Sequence, residues 1–195
     1  MLRSLAILTG VLALSIPANA ADLKVGDTSP VFAKLAGTDG KEHSLSDYKQ
    51  DILVVAITCN QCPAAVAYED RIIEFVKKHG SEKVGYVAIN VNNGESDRMD
   101  KMKERAKEKG FNFPYLYDPS QEIAKALNAK VTPEFYVLNK ERKIVYMGAF
   151  DDSMRDASKA TKNYLEAAVK EALEGKTVTT SKTKAVGCGV AYDTK

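Results

Sequence analysis

The sequence predicts an α/β fold in which a mixed central β-sheet is flanked by helices. Two observations favour this class: strands of the buried type alternate with amphipathic helices in the first half, and a strand pair followed by a long helix occupies the second half. The 195 residues are 45% hydrophobic and 28% charged, which is enough apolar material for one sizeable core. The 28 basic and 26 acidic side chains are interleaved, a pattern that gives no indication of nucleic-acid binding.

The first 20 residues have the pattern of a secretory signal peptide. Arg3 is followed by an apolar run over Leu5–Ile16, and Ala18-Asn19-Ala20 matches an A-x-A cleavage site. The apolar run is about a dozen residues, shorter than the ~20 residues that a membrane-spanning helix needs. We therefore expect cleavage after Ala20 and an exported protein without stable membrane insertion, periplasmic if the source is bacterial.

Beyond the leader, the chain is expected to form one domain with a short tail. Residues 21–175 contain every strand and helix that the pattern predicts, whereas residues 176–195 are rich in Thr, Ser and Lys. We expect this tail to pack loosely. If the chain is exported, its three cysteines enter an oxidising compartment, where disulfides can form and persist.

The first half of the domain predicts a strand–helix–strand unit. Ile52–Thr58 is β-branched and apolar without alternation, as expected for a central parallel strand that is covered on both faces. The helix that follows ends at Gly80, and Gly85–Ile89 is a second buried strand. Before this unit, Val31–Leu35 is expected to pair back through an Asp39-Gly40 turn.

The second half predicts helices around an antiparallel hairpin. The expected elements are a charged helix over Asp97–Lys109, a strand over Phe113–Tyr117, a helix from a Ser120 N-cap to Leu127, strands over Phe135–Leu138 and Ile144–Met147, and a closing helix over Ser158–Glu174. The apolar residues of the closing helix recur at helical spacing, so one face is expected to pack on the sheet. The order β-α-β followed by β-β-α predicts a single mixed sheet.

The reactive side chains concentrate in the motif Cys59-Asn60-Gln61-Cys62-Pro63, directly after the central strand. At a helix start, free backbone N–H groups and the helix dipole stabilise a thiolate, so we expect a lowered pKa at Cys59. Cys62, one turn later, is then placed to attack a mixed disulfide on Cys59 and to close a Cys59–Cys62 disulfide. The motif predicts disulfide exchange by one exposed and one sheltered sulfur.

Two other interpretations of the cysteine pair stay open at this point. The pair can be half of a four-ligand zinc site, or it can form an inert structural disulfide. Zinc needs two more ligands at suitable spacing, and the chain offers only His43, His79 and Cys188, none of them paired with another. A structural bridge usually links separate elements instead of lying at a helix start. We therefore predict neither a metal nor an organic cofactor.

A proline precedes the strand over Phe135–Leu138. In Val131-Thr132-Pro133 the proline need not donate to the sheet, and its X-Pro bond is of the kind that can be cis. A cis bond there would leave the Thr132 backbone free to pair with an extended substrate peptide. Thr132 and Glu134 are therefore candidates for substrate binding, with Pro133 as a wall of the groove, although Glu134 also fits a solvated charge at a strand start.

The CxxC motif and this proline together resemble the thioredoxin-like superfamily over about Val25–Glu174. The segments similar to its redoxin branch, also called alkyl hydroperoxide reductase/thiol-specific antioxidant, are Ile57–Pro63, Ala67–Arg71 and Met102–Tyr117. The resemblance implies a thioredoxin-like fold and a cis Thr132–Pro133 bond facing Cys59 and Cys62. It also implies thiol-disulfide oxidoreductase activity, with protein thiols or disulfides and an upstream redox protein as partners.

Four positions depart from the patterns of related families. Thr58 stands where thioredoxin has a tryptophan, and Leu53 stands where thioredoxin buries an acidic residue. The peroxiredoxin pattern P-x-x-x-T/S-x-x-C would need a proline and a hydroxyl at the positions of Ile52 and Ala56. The missing hydroxyl argues against a thiol peroxidase that uses Cys59. That activity remains an alternative, as does a thiol module that binds copper(I) or zinc.

Two residues outside the motif are further candidates. Cys188, in Gly187-Cys188-Gly189, is an odd cysteine in an exported chain. It is either a third redox thiol that exchanges with Cys59 or caps the site, or an anchor of the tail. Glu69 follows Cys62 by two helical turns and can lie beneath it as a proton-transfer group; the alternative is a surface carboxylate paired with a basic neighbour.

Overall fold

A computed structural model describes residues 23–193. Its strands and helices are β1 (Leu35–Gly37), β2 (Glu42–His43), β3 (Ile52–Thr58), α1 (Pro63–His79), β4 (Val84–Asn90), α2 (Met99–Lys109), β5 (Tyr115–Tyr117), α3 (Glu122–Leu127), β6 (Val131–Thr132), β7 (Glu134–Leu138), β8 (Ile144–Gly148), α4 (Tyr164–Leu173) and β9 (Cys188–Gly189). Short 3₁₀ turns lie at Leu45–Asp47, Glu95–Asp97 and Ala157–Lys159. The predicted signal peptide lies outside the described residues. Within them, no helix combines the length and apolar character that crossing a membrane requires.

Seven strands form one mixed sheet in the order β2-β1-β5-β4-β3-β7-β8. Strand β3 runs parallel to β4 and antiparallel to β7. The register pairs Thr58 with Asn90 and Ile57 with Glu134, so the end of β3 lies beside the end of β4 and the start of β7. The predicted α/β class, a mixed sheet flanked by helices, is confirmed.

The alternating side chains of β3 enter two separate cores. One face packs against α1, α2 and α4, and the other packs against α3. The β3 residues of the first core are Ile52, Val54 and Ala56, and those of the second are Leu53, Val55 and Ile57. All six are buried, and full burial of an aliphatic side chain contributes roughly 1.5–3 kcal/mol. This double anchoring fixes the point in space at which the Cys59 segment leaves the sheet.

The N-terminal hairpin begins later than the sequence predicts. Strand β1 starts at Leu35, so the strand expected over Val31–Leu35 is wrong. Lys34 has a left-handed backbone, with φ 53°, which interrupts an extended run, and Val31 is 75% exposed. The turn at Asp39-Gly40 is confirmed, and Gly40 adopts the φ of 80° that favours glycine.

Helix α3 begins one residue later than a Ser120 N-cap implies, but Ser120 does contribute a cap: its Oγ accepts the backbone N–H of Glu122 at 3.2 Å. Asp118 adds a second one, since its Oδ2 accepts the backbone N–H of Ile123 at 3.0 Å and its Oδ1 accepts the N–H of Ser120 at 3.1 Å. Gln121 precedes the first helical residue with φ 60°. The serine hydroxyl and the Asp118 carboxylate thus share the free N–H groups of the helix start, and the sequence pattern indicates only the serine.

Helices α2 and α4 also begin later than predicted. The first starts at Met99, because Asp97 belongs to the preceding 3₁₀ turn. The second starts at Tyr164 instead of Ser158, because Asn163 caps it by accepting the N–H of Glu166 at 3.0 Å. The shift at Asp97 matters for function, since its carboxylate is then directed to the loop between the cysteines.

The tail is not loosely packed, so that prediction is wrong. Met147 N–H donates to the Ser181 carbonyl at 3.1 Å, and Thr183 N–H donates to the Met147 carbonyl at 3.1 Å, so the tail extends alongside β8. Further on, β9 pairs antiparallel with β6. The Tyr192 hydroxyl then donates to the Ala129 carbonyl at 2.8 Å. Backbone pairing of this kind needs no apolar side chains, so a composition rich in Thr, Ser and Lys did not reveal it.

Candidate active site

The two motif cysteines lie where β3 ends and α1 begins. Cys59 follows β3, and Cys62 is the N-cap of α1, with Pro63 in the first turn. Both are free thiols in the structure, as is Cys188, so the Cys59–Cys62 disulfide stays a prediction. Cys59 is only 5% exposed and Cys62 only 3%. The expected exposed nucleophile is therefore wrong for this state, because both cysteines are covered.

Thr132 contacts both sulfurs. Cys59 Sγ lies 3.2 Å from Thr132 Oγ1, and Cys62 Sγ donates to the Thr132 carbonyl at 2.9 Å. The Thr132–Pro133 bond is cis, as the family resemblance implies. Because β7 runs antiparallel to β3, the residues before β7 lie next to the residues after β3. The sequence pointed to the Thr132 backbone; the contact between its hydroxyl and Cys59 was missed.

The surroundings of Cys59 disfavour its thiolate. Burial raises the pKa of Cys59, and the contacts with the Thr132 hydroxyl and the Cys62 backbone offset only part of the increase. The negative charge of Asp97 raises the pKa further. The lowered pKa predicted for Cys59 is therefore wrong in this arrangement. Its sulfur is enclosed by the protein, and the one helix-start amide that reaches it, that of Cys62, does not offset the effect of burial.

The surroundings of Cys62 favour its thiolate. Burial alone would raise its pKa, but hydrogen bonding with Cys188 and with the backbone amides of Ala65 and Ala64 outweighs burial, and the pKa of Cys62 is lowered. The amides of the first helical turn thus lower the pKa of the second cysteine of the motif. Helix-start amides therefore lower the pKa of both thiols, but they outweigh burial only at Cys62.

Asp97 fixes the loop between the cysteines. Its Oδ1 accepts the backbone N–H of Asn60 at 2.6 Å, and the side-chain amide of Asn90 donates to the same oxygen at 3.3 Å. The Asn60 side chain donates to the Ser96 carbonyl at 2.8 Å and accepts from the Tyr115 hydroxyl at 2.8 Å. Burial raises the pKa of Asp97. Sequence reasoning missed this residue, and its only sequence signal is an acid shortly after the second parallel strand.

Glu69 lies on the Cys59 side of the helix. Cys59 and Glu69 both line a cavity of about 20 Å³, together with Pro133 and aromatic side chains. Arg105 donates to both carboxylate oxygens, from Nε at 2.8 Å and from an Nη atom at 2.6 Å. A carboxylate held in this bidentate way is well placed to join α1 to α2. Proton transfer by Glu69 stays a prediction; of its alternative, the pairing with a basic side chain is confirmed by Arg105, whereas the surface location is wrong because Glu69 is buried.

Glu134 opens β7 and supports the segment that carries Thr132. Its Oε2 accepts the backbone N–H of Lys130 at 3.0 Å. Burial raises the pKa of Glu134, and the bond to Lys130 offsets part of that increase. The side chain is half-buried, so it is not simply a solvated charge at a strand start. Substrate binding by Glu134 stays a prediction.

The C-terminal strand β9 covers the site. Thr132 is paired with Cys188 and Val131 with Gly189 in antiparallel register. The Cys188 N–H donates to Cys62 Sγ at 3.3 Å. The expectation that the Thr132 backbone is free is therefore wrong, because the chain's own tail occupies that position. Unlike the other two cysteines, Cys188 is exposed.

The histidines lie in contacts of their own. His43 Nε2 is 3.1 Å from Asp39 Oδ1, and His79 Nε2 is 3.1 Å from Glu166 Oε1. Across residues 23–193, no three or more His, Cys, Asp or Glu side chains form a group that could hold a metal ion. The geometry of these residues therefore gives no support to the metal-binding alternative.

The match to a family model decides the family. The Redoxin model matches residues 24–165. The chain belongs to the redoxin family. It is thus a thioredoxin-like oxidoreductase, and the predicted superfamily and branch are confirmed. No curated protein matches the chain at a significant level.

Solved structures show the same fold. An uncharacterized conserved protein from Geobacillus kaustophilus is 34% identical, with a TM-score of 0.82 over 88% of this chain and 94% of that one. A thiol:disulfide interchange protein of the thioredoxin family from Chlorobium tepidum TLS is 21% identical, with a TM-score of 0.61 over 78% and 99%. Peroxidoxin BcpB from Mycobacterium tuberculosis is 19% identical, with a TM-score of 0.60 over 78% and 97%. Since differently named redox proteins share the fold, the choice between activities rests on the site.

Proposed function

We propose that this protein is an exported thiol-disulfide oxidoreductase that exchanges disulfides with protein substrates through Cys59 and Cys62. The observation that carries the proposal is the convergence of both sulfurs on Thr132, at 3.2 Å from its hydroxyl and 2.9 Å from its carbonyl. Two thiols held at one residue beside a helix start are suited to closing and reopening a disulfide. Export rests on the signal-peptide pattern of residues 1–20.

Substrate reduction takes two steps. The Cys59 thiolate attacks one sulfur of the substrate disulfide and forms a mixed disulfide, while the other substrate sulfur leaves as a thiolate and takes up a proton. Cys62 then loses its proton and attacks Cys59 Sγ, the Cys59–Cys62 disulfide forms, and the second substrate thiol leaves. Two electrons and two protons pass from the pair to the substrate. The reverse sequence oxidises a substrate dithiol, and an upstream redox protein restores the pair.

The contacts of the two sulfurs bear differently on these roles, because burial opposes the Cys59 thiolate that starts the reaction. The Thr132 hydroxyl lies close enough to stabilise the Cys59 thiolate through a hydrogen bond. The lowered pKa of Cys62 favours the resolving step, because a larger thiolate fraction accelerates attack on the mixed disulfide.

Protein substrates are favoured by the edge of β6. This strand pairs with an extended segment whose central residue is a cysteine, although that segment belongs to the chain itself. A substrate strand that displaces β9 would make the same main-chain pairing beside Pro133, with its own cysteine facing the pair. The proposed substrates are therefore extended protein segments that carry a disulfide or a thiol.

Turnover of a protein disulfide tests the proposal. The purified protein, supplied with a thiol reductant, is expected to accelerate reduction of the substrate, and Cys59→Ser and Cys62→Ser are each expected to return the rate to the uncatalysed level. Thermal unfolding of each variant controls for folding. Full turnover by both folded variants would overturn the proposal. So would rapid consumption of hydrogen peroxide by a wild-type protein that leaves protein disulfides unreduced.

A further inference from the structure

The segment Gly187-Cys188-Gly189 packs directly against the backbone of the cis-proline loop. A Cβ atom on Gly187 would lie 2.0 Å from the Thr132 carbonyl oxygen and 3.3 Å from the Pro133 nitrogen. No side chain fits there without displacing the backbone of one segment. At Gly189, by contrast, a Cβ atom would meet nothing within 4 Å. The position before Cys188 therefore has a steric requirement that the position after it lacks.

Residues beyond β9 hold this segment in place. Val190 N–H donates to the Lys130 carbonyl at 3.1 Å. The buried amide of Gln121 donates to the Ala191 carbonyl at 2.8 Å, and its oxygen accepts the Asp193 N–H at 2.8 Å. The tail is thus fastened along its length, and Cys188 is held in a defined position.

Cys188 is held against Cys62. Its backbone N–H donates to Cys62 Sγ at 3.3 Å, and the two thiols are also hydrogen-bonded to each other. Hydrogen bonding to Cys62 is the main cause that raises the pKa of Cys188 to about 11. The same contact contributes to the lowered pKa of Cys62. Of these two thiols, Cys62 is therefore the one that loses its proton first as the pH rises.

The three thiols differ in their exposure to solvent. Cys59 and Cys62 are buried, whereas Cys188 is exposed. A redox partner in solution can reach the third thiol without disturbing the pairing of β9 with β6. A thiol that touches the buried pair and also faces solvent is positioned to connect the two.

We propose that Cys188 is a third exchange thiol whose disulfide partner is Cys62, and that it carries the oxidised state of the buried pair to the protein surface. This inference rests on the proposed exchange activity of Cys59 and Cys62. The Cys188 thiolate attacks Cys62 Sγ of the Cys59–Cys62 disulfide. The Cys62–Cys188 bond forms, the Cys59–Cys62 bond breaks, and Cys59 leaves as a thiolate that takes up the proton lost by Cys188. No net oxidation occurs.

The proposed partner at the surface is a protein dithiol. Its first thiolate attacks Cys188 Sγ, which forms a mixed disulfide and releases the Cys62 thiolate. Its second thiolate then attacks the partner sulfur of that mixed disulfide and restores the Cys188 thiol. The partner ends as a disulfide, and this protein gains two electrons and two protons.

Disulfide mapping in a Cys59→Ser variant tests the assignment. Oxidised glutathione supplies the oxidising equivalents, and acid-quenched peptides are identified by mass spectrometry. A Cys62–Cys188 disulfide is expected as the main product, whereas Cys62→Ser, treated in the same way, is expected to form no Cys59–Cys188 disulfide. Glutathione adducts alone in Cys59→Ser, or an abundant Cys59–Cys188 bond in Cys62→Ser, would overturn the inference.

A matched pair of glycine variants tests whether the Cys62–Cys188 disulfide forms because the tail is docked against Thr132. In the Cys59→Ser background, Gly187→Ala is expected to reduce the yield of the Cys62–Cys188 disulfide several-fold, because its Cβ displaces the segment from Thr132. Gly189→Ala is expected to leave the yield unchanged, because its Cβ enters open space. Equal yields in the two variants would contradict a role for the docked position.

Cys188→Ala separates failure of this inference from failure of the proposed function. Turnover of a protein disulfide with a dithiol protein as reductant is expected to slow several-fold, while the Cys59–Cys62 disulfide still forms reversibly. If turnover is unchanged and no Cys62–Cys188 bond forms in Cys59→Ser, the inference fails and the proposed function stands. If Cys188→Ala and the wild type both lack a reversible Cys59–Cys62 disulfide, the proposed function fails.

Discussion

Cys59 and Cys62 lie three positions apart in the chain, yet their surroundings differ in kind. Cys59 is enclosed between the end of β3, a small cavity and the Thr132 hydroxyl. Cys62 lies at the start of α1, among backbone amides and the thiol of Cys188. Enclosure raises the pKa of the first thiol, and hydrogen bonding lowers the pKa of the second. Helix-start amides thus acidify a thiol only where they and its other hydrogen bonds outweigh burial, and here that is the second cysteine of the motif.

The largest expected change in this comparison comes from removing the Cys188 thiol. In Cys188→Ala, Cys62 loses the hydrogen bond that most strongly opposes burial, so its pKa rises and its thiolate appears only at higher pH. The pKa of Cys59 is expected to change much less, because burial and the hydrogen bonds with Thr132 and Cys62 dominate it. Ultraviolet thiolate absorbance against pH is measured with and without the substitution in two backgrounds: Cys59→Ser, where Cys62 ionises before Cys188, and Cys62→Ser, where Cys59 titrates beside Cys188. A Cys62 titration indifferent to the substitution would contradict this account of its acidity.

Removing the Thr132 hydroxyl should change the pKa of Cys59 and leave Cys62 largely unaffected. Thr132→Val is expected to raise the pKa of Cys59 further, because the contact at 3.2 Å is lost. The Thr132 carbonyl remains, so its bond with Cys62 persists. The rate of Cys59 alkylation at neutral pH should fall with the thiolate fraction. Thr132→Ser keeps the hydroxyl and serves as the matched control; equal alkylation rates in the two variants would show that the hydroxyl is irrelevant.

A smaller effect is expected from neutralising Asp97. In Asp97→Asn the negative charge that disfavours the Cys59 thiolate is removed, so the pKa of Cys59 falls. The amide oxygen can still accept the Asn60 N–H, so the loop is expected to keep its shape. The same alkylation assay against pH should show faster reaction at lower pH. A slower reaction would mean that Asp97 acts mainly by shaping the loop.

The smallest effect on the thiols is expected from Glu69→Gln. The loss of the charged pair with Arg105 should lower the free energy of unfolding by about 1.5–3 kcal/mol, the usual range for hydrogen bonds to charged groups. The pH profile of disulfide exchange should not change, since both carboxylate oxygens are engaged by Arg105. Denaturant unfolding and the exchange rate against pH measure the two quantities. A displaced profile would restore Glu69 as a proton-transfer group.

The parts of the molecule predicted from sequence are those set by local pattern. The run Ile52–Thr58 can be predicted as a central strand because its continuous apolar, β-branched side chains can be recognised without knowing which elements cover it. The cysteine motif follows it at a helix start, as expected for that spacing. The end of the first helix at Gly80 is likewise local. These features position Cys59 and Cys62 without further information.

The parts that escaped prediction depend on contacts between distant residues. Asp97 meets Asn60 across 37 positions, and Cys188 meets Cys62 across 126. Neither pair has a local signature, and β9 is only two residues long. The order of thiol acidities follows from these same contacts, so it could not be predicted from the motif. Sequence therefore indicates the reactive residues, while the fold determines how reactive each one is.

Equilibration of the purified protein against a glutathione or dithiothreitol buffer tests the central claim most directly. The account predicts one reversible two-electron transition that persists in Cys188→Ala and disappears in Cys62→Ser. A midpoint near about −270 mV would mark a reductant, and one near about −120 mV would mark an oxidant. The absence of a reversible transition in the wild type, or an undiminished transition in Cys62→Ser, would contradict the account.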